Sequence, residues 1–286
     1  MKLWTKVIFP RLEKPFLLGD RIMLLGSCFA DSIGEKMAAA GYQVMVNPFG
    51  TLYNPASLAN AVSRLDSGLP FGPGDCVEMG AGAGRICSFE HHTSFARESA
   101  EAFLDNANAR LSEARAFWKG CNRVILTLGT SFVWCVDGRP VSNCLKRPSS
   151  EFTRRMLGAE ESAALLRSVI SSHPDKRFML TVSPIRHLGD GAHANSISKA
   201  SLLLAADACE GADYLPAFEI LNDELRDYRF YAEDLVHPSA QAVSYIWEQF
   251  LDSCCDPAER DAVSENEKAA RRLAHRPLLD SSLRSE

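Results

Sequence analysis

The chain alternates between short apolar segments and longer amphipathic segments. The apolar segments have the length of buried strands and cover residues 22–25, 42–46, 123–128, 178–182 and 214–218. Apolar residues recur with the helical period at 31–40, 56–65, 95–118, 159–171, 196–208 and 239–251. Strands separated by helical crossovers pair in parallel, and the helices cover both faces of their sheet. This pattern predicts an α/β fold with three layers, α/β/α, around a doubly wound and mostly parallel sheet.

Two stretches interrupt the alternation and are expected to form β-hairpin insertions. The first, at about 71–95, contains a glycine-rich turn at 80–84. Its GxGxG spacing lacks the third glycine of a dinucleotide-binding loop, and no helix pattern follows it, so a hairpin turn is favoured. The second, at about 132–150, contains Asp137-Gly138, a pair typical of two-residue hairpin turns.

Length and composition exclude several classes of protein. A chain of 286 residues that is 46% hydrophobic can bury the core of one large α/β domain. We predict that this domain spans 1–256 and that a charged helix and tail occupy 257–286. The net charge of −5 offers no basic surface for nucleic acid. No apolar run approaches the length of a membrane span, and the run at 7–10 is too short for a signal peptide, so we expect a cytoplasmic protein.

The cysteines and histidines do not have the spacing of a metal site. There are nine cysteines, an odd number, and no two of them form a CxxC pair. None of the seven histidines lies in an HxH or HExxH motif. We therefore expect reduced cysteines, most of them buried, and no metal or cofactor.

Two adjacent residues, Ser27 and Cys28, are candidate nucleophiles. They follow the first apolar run at a strand-to-helix turn, which is where α/β enzymes present a nucleophile. The best candidate base is His237, because Asp234 lies three residues earlier. On a helical turn or tight loop the carboxylate can accept from Nδ1–H, which leaves Nε2 as the base. A thiol beside that base at a helix start is expected to have a pKa lowered from about 8.5 toward roughly 3.5 to 7.5.

The sequence resembles a known family over most of residues 1–252. Residues 26–30 read Gly-Ser-Cys-Phe-Ala, the signature for which the GSCFA family is named. That family is grouped with the SGNH or GDSL-like esterases and acyltransferases. The resemblance continues, in the expected order, at 47–51, 127–131, 143–146, 182–187 and 226–238. It implies an SGNH-hydrolase-like, flavodoxin-like arrangement of the sheet.

The resemblance also implies roles for individual residues. Cys28 takes the nucleophile position of the first SGNH block, and Asp234 and His237 match the Asp-x-x-His block. Gly50 resembles the glycine whose amide stabilises the oxyanion. The asparagine that usually completes the oxyanion hole is replaced here, so either the Ser131 hydroxyl or Asn143 is expected to donate in its place, together with the amide of Cys28.

Three further residues are expected to rim the site. His92 lies in the first insertion, and Arg186 and His187 directly follow the fourth predicted strand. The Arg186 guanidinium has the geometry to pair with a carboxylate or phosphate of a substrate.

Together these features predict an esterase or acyltransferase of SGNH type. Its substrate is expected to be an O-acyl ester of a carbohydrate or other small molecule, attacked by Cys28 or, alternatively, by Ser27. A second hypothesis is a catalytically inactive SGNH-like module that binds a glycan or carboxylate ligand through Arg186, His187 and His92.

Overall fold

The computed structural model describes residues 4–274, and its β-strands lie in one parallel sheet and two small antiparallel sheets. In chain order the strands are β1 (Arg21–Gly26), β2 (Gln43–Val46), β3 (Val77–Glu78), β4 (Ile86–Cys87), β5 (Arg123–Leu128), β6 (Phe132–Val136), β7 (Arg139–Val141), β8 (Thr153–Met156), β9 (Arg177–Val182) and β10 (Ala212–Tyr214). The α-helices are α1 (Cys28–Ala39), α2 (Pro55–Ser67), α3 (Ala100–Gly120), α4 (Ala159–Ser171), α5 (Ala192–Asp207), α6 (Ala217–Glu219), α7 (Ala240–Cys254) and α8 (Arg260–Ala274).

The parallel sheet has five strands in the order β10-β9-β5-β1-β2. Numbered within this sheet, the order is 2-1-3-4-5, the doubly wound arrangement of flavodoxin-like folds. The direction of winding reverses between β1 and β5, and ligands of such folds bind at the carboxyl ends of the strands at that point. The predicted fold class is confirmed, and the β1–α1 turn that contains Cys28 lies at this switch point.

The two faces of the sheet are buried by different helices. Along β1, Ile22 and Leu24 pack in a cluster with residues of α1 and α7, whereas Met23 and Leu25 pack in a cluster with residues of α2, α3, α4 and α5. All four side chains are fully buried. Burying one such side chain stabilises a fold by roughly 1.5–3 kcal/mol, so this alternation holds β1 in the middle of the three layers.

Helix starts follow their capping residues. The helix α2 begins at Pro55, with the Asn54 side chain accepting from the amide of Ser57, as the Asn-Pro pair predicts. The helix α3 begins at Ala100 rather than at 95, because Ser99 caps it and residues 93–95 form a separate turn. The helix α5 begins at Ala192, four residues before the predicted start.

The predicted strand at 214–218 is wrong. The strand β10 ends at Tyr214, and the chain turns into α6 after Pro216. Proline has no amide to donate to a sheet, so the apolar residues that follow it pack as a helical turn.

Both predicted insertions contain antiparallel strands. The strands β3 and β4 form one hairpin, and β6 pairs with both β7 and β8 in a three-stranded sheet. Asp137 and Gly138 both have positive φ, as the favoured two-residue turn requires. The strand β8 was not predicted because its residues are all exposed and show no apolar alternation.

The charged C-terminal helix α8 packs against the domain. Val263 is buried against the core, and the Asn266 side chain donates to the carbonyl of Ala40 at 2.9 Å. The indole of Trp247 donates to Glu267 at 2.7 Å. The predicted tail beyond residue 274 lies outside the described residues, and the domain boundary at 256 stays a prediction. Within residues 4–274, no helix combines the length and apolarity needed to cross a bilayer.

Candidate active site

Cys28 is the first residue of α1 and lies directly after β1. Its side chain is partly exposed, and its Sγ is 3.3 Å from Nε2 of His237. Because 209 residues separate the two in sequence, only the packing of α1 against the loop before α7 brings them together. The sulfur therefore lies within hydrogen-bond distance of the base predicted from sequence.

His237 is held by Asp234 within one tight loop. Oδ1 of Asp234 accepts from the amides of Val236 and His237 at 2.9 and 3.0 Å, and Oδ2 lies 2.6 Å from Nδ1 of His237. These bonds, led by the His237 amide, lower the pKa of Asp234 to about 2. The carboxylate is therefore charged, so it assigns the imidazole proton to Nδ1 and leaves the lone pair of Nε2 facing Cys28.

Ser27, the alternative nucleophile, has a different environment. It is fully buried, its amide donates to the carbonyl of Thr127 at 3.1 Å, and its hydroxyl accepts from the amide of Phe29 at the start of α1. This is the geometry of a helix N-cap. The structure brings Cys28, and not Ser27, to His237.

The expected lowering of the Cys28 pKa is wrong. Burial raises the pKa of the thiol, and the carboxylates of Asp31 and Asp234 raise it further. The hydrogen bond from its own amide and the charge of Lys199 oppose this rise. At neutral pH the sulfur is therefore a thiol.

Three of the predicted oxyanion donors, Gly50, Ser131 and Asn143, make local hydrogen bonds. The amide of Gly50 donates to the carbonyl of Asn47 at 2.8 Å. Ser131 is fully buried, and its hydroxyl and amide both donate to the hydroxyl of Ser198. The side chain of Asn143 accepts from the amide of Leu145 at 2.8 Å, which closes its own loop. The amide of Gly50 and both donors of Ser131 are therefore used locally, whereas the contact of Asn143 uses its oxygen and not its NH2 group. The oxyanion roles expected for these residues stay predictions.

Two other amides, those of Cys28 and Thr51, donate to no backbone carbonyl among residues 4–274. The amide of Cys28 belongs to the first turn of α1, where N–H groups have no carbonyl partner within the helix. The amide of Thr51 has no hydrogen-bond acceptor among residues 4–274. Thr51 runs beside the nucleophile turn, because the next amide, that of Leu52, donates to the carbonyl of Gly26. The sequence did not single out Thr51.

A family model matches residues 21–250 of the chain. The chain belongs to the GSCFA family. In this GSCFA protein, Asn47 lies in the segment 47–51 noted above and holds the turn between β1 and α1. Its side chain accepts from the amide of Gly26 at 2.8 Å and donates to Asp31 at 2.7 Å.

Solved structures similar to this GSCFA protein include two esterases. A psychrotrophic esterase, EstA, from Pseudoalteromonas is 12% identical, with a TM-score of 0.39, and the match covers 82% of this chain and 96% of the esterase. A mutant acetyl-xylooligosaccharide esterase from Geobacillus is 11% identical, with a TM-score of 0.44, over 82% of this chain and 94% of the esterase. A search of curated proteins finds no match.

The three predicted rim residues lie near the loop that holds His237 or near residues 50–53. The amide and guanidinium of Arg186 donate to the carbonyls of Val236 and Leu235, both at 3.1 Å, so Arg186 braces the loop that holds His237. His187 packs its ring edge-to-face on Tyr53, and burial lowers its pKa to about 4. His92 packs against Gly50, so close that a Cβ on Gly50 would lie 2.4 Å from its own Cβ.

The clefts of the molecule differ in their relation to these residues. A cleft of about 650 Å³ between α2 and the hairpins is lined by none of the predicted site residues. A cleft of about 320 Å³ is lined by Arg186 together with Arg226, Tyr228 and Tyr231. Within residues 4–274, no three His, Cys, Asp or Glu side chains are arranged to hold a metal ion.

Proposed function

We propose that this protein cleaves an O-acyl ester through Cys28, His237 and Asp234, either by hydrolysis or by transfer of the acyl group. The observation that supports this most directly is the continuous chain of contacts from Asp234 Oδ2 to His237 Nδ1, at 2.6 Å, and from Nε2 to Cys28 Sγ, at 3.3 Å. A nucleophile, its base and a group that orients the base are the parts that covalent acyl transfer requires.

In the proposed reaction, Cys28 Sγ attacks the carbonyl carbon while its proton passes to His237 Nε2. The charge on the carbonyl oxygen is stabilised by the amide of Cys28 at the positive end of α1, with the amide of Thr51 as second donor. The C–O bond then breaks, and the proton on Nε2 moves to the leaving alkoxide. Water or an acceptor hydroxyl attacks the thioester, gives its proton to His237 and releases the thiol of Cys28.

We propose that the acyl group sits on a carbohydrate or similar small molecule. The cleft lined by Arg186 and Arg226 supports this, because Tyr228 in the same cleft is 66% exposed. An aromatic face and guanidinium donors together suit a sugar that bears hydroxyl or anionic groups.

The test is turnover of a panel of acyl esters by single variants. We expect His237→Ala and Cys28→Ala to lose at least about 10³-fold in kcat/KM, because each removes a member of the triad. Ser27→Ala should stay within about tenfold of wild type, since that side chain caps a helix. If His237→Ala turned over the esters as fast as the wild type does, the mechanism would be ruled out.

A second candidate function is an inactive binding module. The occupied state of Ser131 favours it, because the side-chain donor expected in the oxyanion hole is turned into the core. In the described part of the chain, Arg186 and Arg226 have no carboxylate partner, so they are available to an anionic glycan or carboxylate. Binding of such a ligand by Cys28→Ala and wild type alike, without turnover by either, would favour this alternative.

A further inference from the structure

Lys199 is a buried lysine on α5 that the sequence did not single out. Its side chain is 2% exposed, and its Nζ donates to the carbonyl of Gly129 at 2.5 Å and to that of Ser183 at 2.7 Å. Among residues 4–274 no carboxylate lies within ion-pair distance of it. Burying an ammonium without a counter-charge is costly, so an anion that forms nearby would be strongly favoured by it.

The two carbonyls lie at the edge of the sheet that presents Cys28. Gly129 directly follows β5 and Ser183 directly follows β9, and the last residues of these strands, Leu128 and Val182, are paired. On the other side of β5, Thr127 pairs with Gly26, two residues before Cys28. Lys199 therefore links the carboxyl end of β5, the neighbour of β1, to that of β9, the next strand in the sheet.

Among the charged groups that shift the pKa of Cys28, Lys199 is the cation, and it favours the thiolate. Asp31 on α1 and Asp234 in the catalytic loop disfavour a negative sulfur, whereas Lys199 favours it. The other titratable groups here are Tyr53, whose pKa is raised in part by the charge of Cys28, and His237, which in the proposed reaction receives the proton. On its own side Lys199 faces His187, which is neutral because burial lowers its pKa.

Lys199 itself responds to Cys28. Burial lowers the pKa of Lys199 to about 7, and a negative charge on Cys28 raises it again. The two groups therefore stabilise each other's charged forms. A thiolate that appears during the reaction would hold Lys199 in its ammonium form.

We propose that Lys199 is a positioning residue of the active site, which fixes the ends of β5 and β9 beside Cys28 and stabilises by its charge the thiolate that forms there. The proposal rests on the proposed function in taking Cys28 as the nucleophile. The proton released by the sulfur goes to His237, and Lys199 contributes only the positive charge of its ammonium form.

The test follows alkylation of Cys28 by iodoacetamide as a function of pH, with the Cys28 peptide quantified by mass spectrometry because the chain has nine cysteines. We expect Lys199→Met to slow alkylation of Cys28 by about tenfold below about pH 7, where Lys199 is an ammonium, because the loss of a nearby opposite charge disfavours the thiolate. Well above pH 7, where Lys199 of the wild type is neutral, the rates of the two proteins should converge. Lys199→Gln keeps an amide donor for the carbonyls and removes the charge, so it should slow alkylation over the same pH range even if Lys199→Met folds poorly.

Lys176→Met is the matched control. Lys176 is also buried and its Nζ donates to a backbone carbonyl, that of Cys121 at 3.1 Å, but it lies just before β9 at the opposite edge of the sheet. We expect Lys176→Met to be alkylated at Cys28 at the wild-type rate at every pH. Equal rates below about pH 7 in wild type, Lys199→Met and Lys199→Gln would overturn the proposal, as would an equal slowing in Lys176→Met. The measurement uses no ester, so failure of the ester assay and failure of this proposal are separate outcomes.

Discussion

At the scale of single residues, burial distinguishes two adjacent candidate nucleophiles. Ser27 and Cys28 are neighbours in the chain, but the Ser27 side chain is fully buried at the helix cap whereas Cys28 is partly exposed and 3.3 Å from His237. Burial also sets the titration behaviour of the residues around them. It raises the pKa of Cys28 and lowers those of His187 and Lys199, because each charged form loses water.

His91 allows the effect of burial on stability to be measured. Its ring is fully buried among Phe71, Phe95 and other aromatic rings, its Nδ1 is 2.7 Å from the Ser88 hydroxyl, and burial lowers its pKa to about 3. Between that value and about 6.5 the unfolded chain binds a proton at this histidine that the folded chain does not, so the free energy of unfolding falls as the pH is lowered through this range.

We therefore predict that His91→Phe removes a pH-dependent contribution of up to about 4 kcal/mol to the free energy of unfolding. Urea denaturation of both proteins between these pH values measures it, and the difference in unfolding free energy should move in favour of the variant as the pH falls. The exposed His193 supplies the control, since His193→Phe should run parallel to wild type. Parallel curves for His91→Phe as well would contradict the prediction.

At the scale of elements, the contact between β1 and β5 positions Cys28. Gly26 ends β1 opposite Thr127 with a φ of 150°, and the two backbones approach so closely that a Cβ on Gly26 would lie 2.2 Å from the Thr127 carbonyl oxygen. The next residue caps α1, and the one after it is Cys28. The position of the sulfur therefore depends on a glycine two residues away.

We predict that Gly26→Ala is strongly destabilising. The added methyl group meets backbone atoms of Thr127, which cannot move without separating β1 from β5, so a loss of about 3–5 kcal/mol or failure to fold is expected. Denaturant unfolding measures this loss. Gly74→Ala, where an added Cβ meets nothing within 4 Å, should change stability by less than about 1 kcal/mol. Equal stability of the two variants would show that β1 and β5 can move apart freely.

At the scale of the whole molecule, α8 packs on the layer that contains α1 and α7. The match to the GSCFA family ends at residue 250, and α8 lies beyond it. Even so, Val263 is buried on the domain, and Asn266 supplies a donor to the carbonyl of Ala40 just after α1. The helix that begins with Cys28 is therefore supported at its far end by the C-terminal segment.

We predict that a chain ending at Glu259 folds but is less stable. It keeps the bond from the Leu18 amide to Glu259 and loses the burial of Val263 and the hydrogen bonds of Asn266 and Glu267, which together amount to roughly 2–4 kcal/mol. Thermal unfolding should show a lower Tm, while the pH midpoint of Cys28 alkylation stays that of the full chain. An unchanged Tm would mean that α8 contributes no stability.

Local patterns were sufficient for most of the fold. The helix α4 lies at 159–171 as predicted, Asn54 caps α2, and Asp137-Gly138 closes its hairpin, because each of these depends on residues close in sequence. The exposed strand β8 and the end of β10 were missed, because partner strands and a proline decided them rather than apolar periodicity.

By itself the sequence determined the alternating fold, the Asp234–His237 pair and the two candidate nucleophiles, since these follow from short-range spacing and composition. Only the tertiary structure decided that Cys28 faces His237, that Ser131 faces Ser198 instead of the nucleophile, and that Lys199 lies beneath the ends of β5 and β9. Side-chain direction, burial and electric field at a site depend on groups brought together from distant parts of the chain, and no local pattern records them.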